Sequence, residues 1–214
     1  MTAVATPPQV SGAARVLLRG VSWGTYENLL ADHDGCAGPR FTYDSGFLEI
    51  MTLSIEHEEP NRILASLVEL ILGEWEADFL RAGSHTFKRT ELAKGFEPDS
   101  CFYIRHPEVV RGKRRLNLAT DPPPDLVIEI EVTEPLLPRL PIFAAVGVPE
   151  IWQYDGSALH VLVLEGSAYR EAVESTILPR LSAATIASFV QQGLEMTSPV
   201  WIRKVREWAR AHRG

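Results

Sequence analysis

Asp125-Leu126-Val127-Ile128-Glu129-Ile130-Glu131-Val132 follows directly on Pro122-Pro123-Pro124. It reads as a strand apolar enough for the centre of a sheet, yet it carries carboxylates in its middle. A period of two puts Asp125, Val127, Glu129 and Glu131 on one face. An ionised carboxylate buried without a partner costs several kcal/mol, so such a face calls for a metal, a cation or a solvent-filled cleft. The bland alternative is an edge strand whose wet face solvates Glu129 and Glu131. Buried acidic clusters with perturbed titration favour functional sites, which weights the reading towards chemistry.

Upstream, Pro98-Asp99 opens a second strand, DSCFYIR, which an adjacent position in the sheet would bring within reach of Glu129. Asp and Glu from neighbouring strands suit a hard divalent cation, which takes one or two carboxylates and completes its shell with water and substrate phosphates. Before Pro98 lies HTFKRTE, read as a strand, and before that a helix over 58–80 with Leu64, Leu67, Val68, Ile71, Trp75 and Phe79 at helical spacing. Nearer the start, Ser22 caps a short helix to about Ala31, and RFTYDSGFLEIM is a hairpin turned at Asp44-Ser45-Gly46. Downstream come a short helix, Leu140 to Val146, stopped by Gly147. A hairpin turned at Asp155-Gly156 follows, then a third strand near 169–173 and helices over 182–192 and 198–212. The order helix, strand, strand, strand, helix, strand predicts an α/β fold around a small mixed sheet, one domain over 15–214, with residues 1–14 as a disordered tail.

A chain of 214 residues buries an ordinary core without staples. Its two cysteines, Cys36 and Cys101, form no CxxC or Cys/His cluster, so neither a disulfide framework nor a zinc knuckle is encoded. No apolar run is long enough for a membrane span, and the start lacks a basic segment followed by an apolar one, so a cytoplasmic protein with no membrane partner is expected. The net charge of −7 argues against a polyanionic partner until its distribution is considered. Residues 105–115 and 203–213 each hold five basic residues and one acidic residue; the rest of the chain carries −15.

VSWGTYENLL, RFTYDSGFLEIM, Glu56-His57-Glu58, SHTFKRTELAKGFEPDSCFYI, DPPPDLVIEIEVTEP and FAAVGVPEIWQYDG, in this order, resemble the PD-(D/E)XK nuclease superfamily and more closely the Uma-two family of restriction-endonuclease-like proteins. The resemblance spans about residues 18–190. It implies an αβββαβ restriction-endonuclease-like core with an N-terminal hairpin and C-terminal helices, and a metal-dependent DNA endonuclease using Mg²⁺ or Mn²⁺. Asp99 and Glu129 would be the metal-binding and catalytic pair, with Glu58 as an additional acid and Glu131 assisting. Glu131 stands where the motif lysine belongs, as an acid commonly does in this subgroup. The lysine that the family often supplies from the next helix is here Arg139. Arginine can stabilise phosphorane charge but cannot shuttle a proton at neutral pH. That departure keeps a second reading open: a catalytically degenerate nuclease fold that binds nucleic acid or protein without cutting. A paired-carboxylate glycosidase is more remote, because sugar-stacking aromatics are missing beside Glu129.

His57 could orient a carboxylate, although a histidine at a helix start is usually an ordinary hydrogen-bonding residue. Lys88 would point a cation at Asp99 if strands 86–91 and 99–105 pair. Arg111, Lys113, Arg114 and Arg115 read first as a solvated loop and second as a grip on the phosphates of DNA. Arg203, Arg206, Arg210 and Arg213 occupy one face of the last helix. Phe41, Phe47, Leu48, Trp201 and Trp208 look like more apolar bulk than a small sheet can bury, and on that ground a two-fold homodimer is expected.

Overall fold

Two sheets, not one, organise the chain. The computed structural model describes residues 14–33, 39–52 and 54–213; residues 1–13 of the expected tail and Cys36 lie outside them, and Ala14 pairs with Thr52 rather than belonging to a tail. The first sheet has five antiparallel strands in the order β1-β3-β2-β6-β5. These are β1 (Arg15–Arg19), β2 (Arg40–Asp44), β3 (Phe47–Met51), β5 (Phe87–Arg89) and β6 (Lys94–Phe96). The second has six, in the order β11-β10-β9-β8-β7-β4. They are β4 (Leu80–Arg81), β7 (Ser100–Tyr103), β8 (Leu126–Ile130), β9 (Glu150–Tyr154), β10 (Leu159–Glu165) and β11 (Ala168–Ala172). Helix α1 (Trp23–Asp32) covers the first sheet, with Ser22 accepting from the Thr25 N–H as its cap. Against the second sheet lie α2 (Ile55–Glu74), α5 (Ala183–Glu195) and α6 (Ser198–Ala211). Two shorter helices, α3 (Pro107–Val110) and α4 (Leu140–Val146), sit in the connections.

The αβββαβ order holds in the second sheet as α2, β4, β7, β8, α4, β9. Its first strand is β4, however, and not HTFKRTE. Phe87–Arg89 instead turns through a 3-10 segment and pairs with Lys94–Phe96, joining the N-terminal sheet. The expected flanking hairpin is therefore the middle of a five-stranded sheet. Helix α2 also begins earlier and ends earlier than its periodicity suggests: Glu76 turns left-handed at φ 55, and the Trp75 indole N–H donates to the Ala209 carbonyl, which fixes the end of α2 to α6.

β8 is central and fully buried, as its composition requires, and β8–β9 is the one parallel pair among the described strands. A parallel pair needs a crossover, here residues 131–149 with α4 in it, ending at Gly147 with φ 83. Leu126, Ile128 and Ile130 point towards α2, where Leu64, Leu67, Val68 and Ile71 meet them. The N-terminal sheet carries a smaller cluster of Tyr26, Phe41, Tyr43 and Leu48. There Gly95 is required: a β-carbon would stand 2.2 Å from the Tyr26 hydroxyl oxygen. Phe96 meets Phe143 of α4 edge to face at 4.8 Å, joining the sheets through the crossover. Phe41, Leu48 and Trp201 are buried within one chain, so the apolar surplus behind the expected dimer is mostly absorbed; Phe47 alone of that pair of strands' large residues stays exposed, at 42%.

Candidate active site

Register builds the site. Ser100 opposes Ile128 and Cys101 opposes Val127, so the residue before β7, Asp99, lies level with Glu129 on the adjacent strand. One carboxylate oxygen of Asp99, Oδ2, accepts from the Ile130 backbone N–H at 2.8 Å. Asn61 of α2 donates to the Asp99 carbonyl at 3.3 Å and accepts from the Ser100 hydroxyl at 2.8 Å, which pins the helix to the start of β7. His57, one turn earlier on α2 and fully buried, brings Nε2 to 3.1 Å from Asp99 Oδ2.

Arg139, at the start of α4, donates to Glu129 Oε2 through Nη1 and reaches Glu49 Oε1 through Nη2 at 3.4 Å. Glu49 lies in the middle of β3 and is 1% exposed. Its Oε1 also accepts from Arg15 at 2.7 Å, and its Oε2 from the backbone N–H groups of Leu136 and Leu137. Arg15 in turn donates to Thr133. Two buried arginines and three buried acids thus join β1 and β3 to the crossover and to the acid pair.

Burial raises the Glu129 carboxyl to about 7, against the pull of Arg139 and with help from the negative charges of Asp99 and Glu131. Burial acts the same way on Asp99, but His57, Arg139 and the Ile130 N–H together outweigh it and hold Asp99 below the ordinary carboxylate range. The surroundings thus push the two carboxyls in opposite directions, Glu129 up and Asp99 down, a pattern suited to acid–base work. Glu131 is half-buried, is raised mainly by burial, and accepts from Gln153.

Asp99 Oδ1 and Glu129 Oε1 are buried with no hydrogen-bond partner, as are Arg139 Nε and both His57 ring nitrogens. Buried acceptors are nearly always satisfied, so two orphaned oxygens on carboxylates level with each other call for a partner such as a cation or water. They are hard ligands of the type Mg²⁺ or Mn²⁺ takes, and in that donor chemistry the pair fits a divalent ion. Among the described residues no group of three or more His, Cys, Asp or Glu side chains has metal-holding geometry, so an ion there would draw its other ligands from water and substrate.

The remaining candidates fall elsewhere. Glu58 turns away from the acid pair, pairs with Arg62 at 3.4 Å, and lines a groove along α2 and α6. Neighbours on a helix point about 100° apart, and here His57 takes the inward direction. Lys88 is not beside Asp99, because β5 pairs with β6 rather than β7; its ammonium is 3.0 Å from Glu27 of α1. Arg111 is paired with Asp78 at 2.6 Å, and Lys113 with Asp121. Arg114 and Arg115 are exposed and share a pocket with Lys88. Arg206, Arg210 and Arg213 pair with Glu74 or Glu76 at the end of α2.

Glu49 and Arg15 escaped the sequence reading, since a lone Glu in FLEIM looks like the wet side of a hairpin. Glu150, also missed, is fully buried but stands outside the cluster. Its carboxylate accepts from the Trp152 indole at 2.8 Å, the Ser175 hydroxyl at 2.5 Å, the Thr176 N–H at 2.6 Å and hydroxyl at 2.7 Å, and the Ile177 N–H at 3.3 Å. It is the clasp that holds residues 175–177 on β9.

The fold and the facing acids define a restriction-endonuclease-like protein. Residues 23–198 match the profile of the Uma2 family, described as "Putative restriction endonuclease", and the chain belongs to that family. A solved structure, a putative nuclease belonging to DUF820 from Anabaena variabilis ATCC 29413, is similar at 13% identity with a TM-score of 0.47, over 70% of this chain and 90% of that one. No curated protein matches the chain.

Proposed function

We propose that this protein is a metal-dependent endonuclease that hydrolyses phosphodiester bonds in DNA. The observation that carries the reading is the pair Asp99 and Glu129, set level on adjacent strands, buried, and each left with one unpartnered oxygen. Asp99 and Glu129 would hold Mg²⁺ or Mn²⁺, and the ion would supply an acidified water and neutralise charge developing on the phosphate. Arg139 holds Glu129 in place and keeps a positive charge at the acids; it stays protonated and moves no proton. Glu131, at the exit of β8, carries a carboxyl raised above its usual range and can take a proton beside the pair. His57 stands beside Asp99 from α2, its Nε2 3.1 Å from Oδ2, close enough for an ion pair when the ring is protonated.

The test is plasmid nicking with Mg²⁺ or Mn²⁺, compared with Asp99→Ala and Glu129→Ala. Loss of nicking in both variants is expected. Undiminished nicking by both would overturn the assignment. One observation favours a second reading, in which the fold binds without cutting: Arg139 already supplies Glu129 Oε2 with a cation. Calorimetric titration with Mn²⁺ separates the two. Binding that Asp99→Ala abolishes supports the enzyme; no binding up to millimolar Mn²⁺ supports the degenerate fold.

A further inference from the structure

Arg15, Arg40 and Arg139 meet around Met51, in the seam between the N-terminal sheet and the acid pair. Register puts the first two there: Arg15 of β1 and Arg40 of β2 both stand opposite Met51 of β3, and Thr42 stands opposite Glu49. Directly opposed residues project from the same side of a sheet, so Arg15, Arg40, Glu49 and Met51 share one face. Arg139 shows which way that face looks. Its Nη2 is 3.4 Å from Glu49 Oε1 and 3.9 Å from Met51 Sδ, while its Nη1 serves Glu129.

Two of the three are compensated. Arg15 pairs with Glu49 at 2.7 Å, and Arg139 with Glu129 and Glu49. The side chain of Arg40 makes no ion pair and no hydrogen bond to a described residue, and its Nε is buried without a partner. Glu97 does not serve it: Oε1 accepts from the Thr86 hydroxyl at 2.6 Å and Oε2 from the Phe41 N–H at 2.9 Å. Burial raises the Glu97 carboxyl, and among the groups that oppose burial Thr86 and Phe41 come before Arg40. On the other side the Arg40 charge reaches β7, where burial and then Glu129 raise the Cys101 thiol and Arg40 lowers it. Cys101 follows Asp99 by two residues and so shares its face. Arg40 thus stands between the N-terminal sheet and the strand that Asp99 opens, half-buried, with donors that no described side chain uses.

We propose that Arg40 grips a backbone phosphate of the DNA strand presented to Asp99 and Glu129, as a substrate-binding residue separate from Arg139. A guanidinium offers a planar fork that matches two phosphate oxygens, and that of Arg139 is already spent on Glu129 and Glu49. The net charge of −7 and the acids themselves repel a polyanion, so a cation left uncompensated at this place offsets that field where the strand must enter. Assignment of the phosphate to a strand being cut rests on the nuclease reading of the same site. An uncompensated guanidinium contributes no ion pair to the fold, which sets this role apart from a structural one.

Two measurements on the whole chain test it. Fluorescence anisotropy of a labelled duplex oligonucleotide in EDTA compares wild type with Arg40→Met, with Arg40→Lys and, on the exposed side of α6, with Arg203→Ala. Arg40→Met should bind about tenfold more weakly and lower the slope of log affinity against log salt by about 1, and Arg40→Lys should recover part of the loss. Arg203→Ala should bind as wild type does. Thermal melting gives the second readout: Arg40→Met keeps the apolar stem and loses no folded-state partner, so its Tm should stay within about 3 °C of wild type or exceed it. A larger fall would show that the guanidinium holds the fold together, and it overturns the proposal. Equal affinity of wild type and Arg40→Met, no binding by wild type, or an equal loss in Arg203→Ala overturns it as well. Neither readout needs metal or cleavage. Absence of nicking by wild type would therefore sink the endonuclease reading and leave the grip of Arg40 to the anisotropy, while a failed grip leaves metal-dependent nicking by Asp99 and Glu129 standing.

Discussion

Glu150→Ala tests whether a buried acid in this chain acts as a structural clasp rather than as part of the catalytic site. The substitution leaves four donors without their acceptor, while a fifth, the Ile177 N–H, keeps the Ser175 hydroxyl oxygen at 3.2 Å. Two belong to Thr176, which is exposed and can turn to water. The Trp152 indole and the Ser175 hydroxyl are buried and cannot. A stranded buried donor costs about 1–3 kcal/mol, so two give about 2–6 kcal/mol. Relief of carboxylate burial offsets part of that, and a loss near 4 kcal/mol is expected. Glu150→Gln keeps one acceptor oxygen and should lose about half as much. Urea unfolding followed by tryptophan fluorescence reads both values, with the slope against denaturant confirming that the same surface is exposed. A loss below about 1 kcal/mol for Glu150→Ala would refute the clasp, since it would mean the segment 175–177 is held without it.

Three other substitutions probe the seams of the fold. Gly95→Ala drives a methyl into the ring of Tyr26, which is itself stacked on Tyr43 at 4.9 Å and cannot retreat; the cost is about 3 kcal/mol, or roughly 6–12 °C in Tm, and a shift under 3 °C would be incompatible with that packing. Arg139→Met strands Glu129, while Glu49 keeps Arg15 and the Leu136 and Leu137 N–H groups, and should cost about 3–5 kcal/mol, of which Glu129→Gln in the same chain recovers at least 1 kcal/mol; strictly additive losses in the urea cycle would deny the coupling. Glu97 is held above its ordinary 4.5 chiefly by burial, so the folded state keeps its proton more tightly than the unfolded chain does. Its contribution is fully present below pH 4.5 and is lost as pH rises through the raised value. The Tm of Glu97→Gln relative to wild type should therefore rise between pH 4 and pH 7, and a flat or falling difference would show the sign to be wrong.

The acid pair was legible because Pro98-Asp99 and an acid inside an apolar strand are both local patterns, and sheet register does the rest. Arg139 was legible only through the resemblance, as the residue standing in for a lysine. Glu49 was not, because its burial comes from Leu136, Leu137 and Arg139, which lie 87–90 positions away and fold over β3 from the crossover. Lys88 was misplaced for a related reason. Strands of three residues, like Phe87–Arg89 and Lys94–Phe96, carry too little alternation to announce their partner, and packing against β2 decides it. His57 and Glu58 show the limit of sequence at a helix start: both sit at the right place, and only the direction in which α2 docks selects His57.

The long reach from Glu49 to the crossover also bears on how the protein is made. A ribosome releases the N-terminal strands first, and Glu49 then meets Arg15 alone, with its second oxygen unserved. The donors for that oxygen, on Leu136 and Leu137, emerge only after 87 further residues, and Arg139 follows behind them. The early sheet can therefore collapse but cannot finish, because its central acid waits on a segment still inside the tunnel. Two sheets that share no strand thus mature as one unit, timed by a carboxylate whose last partners arrive late in synthesis.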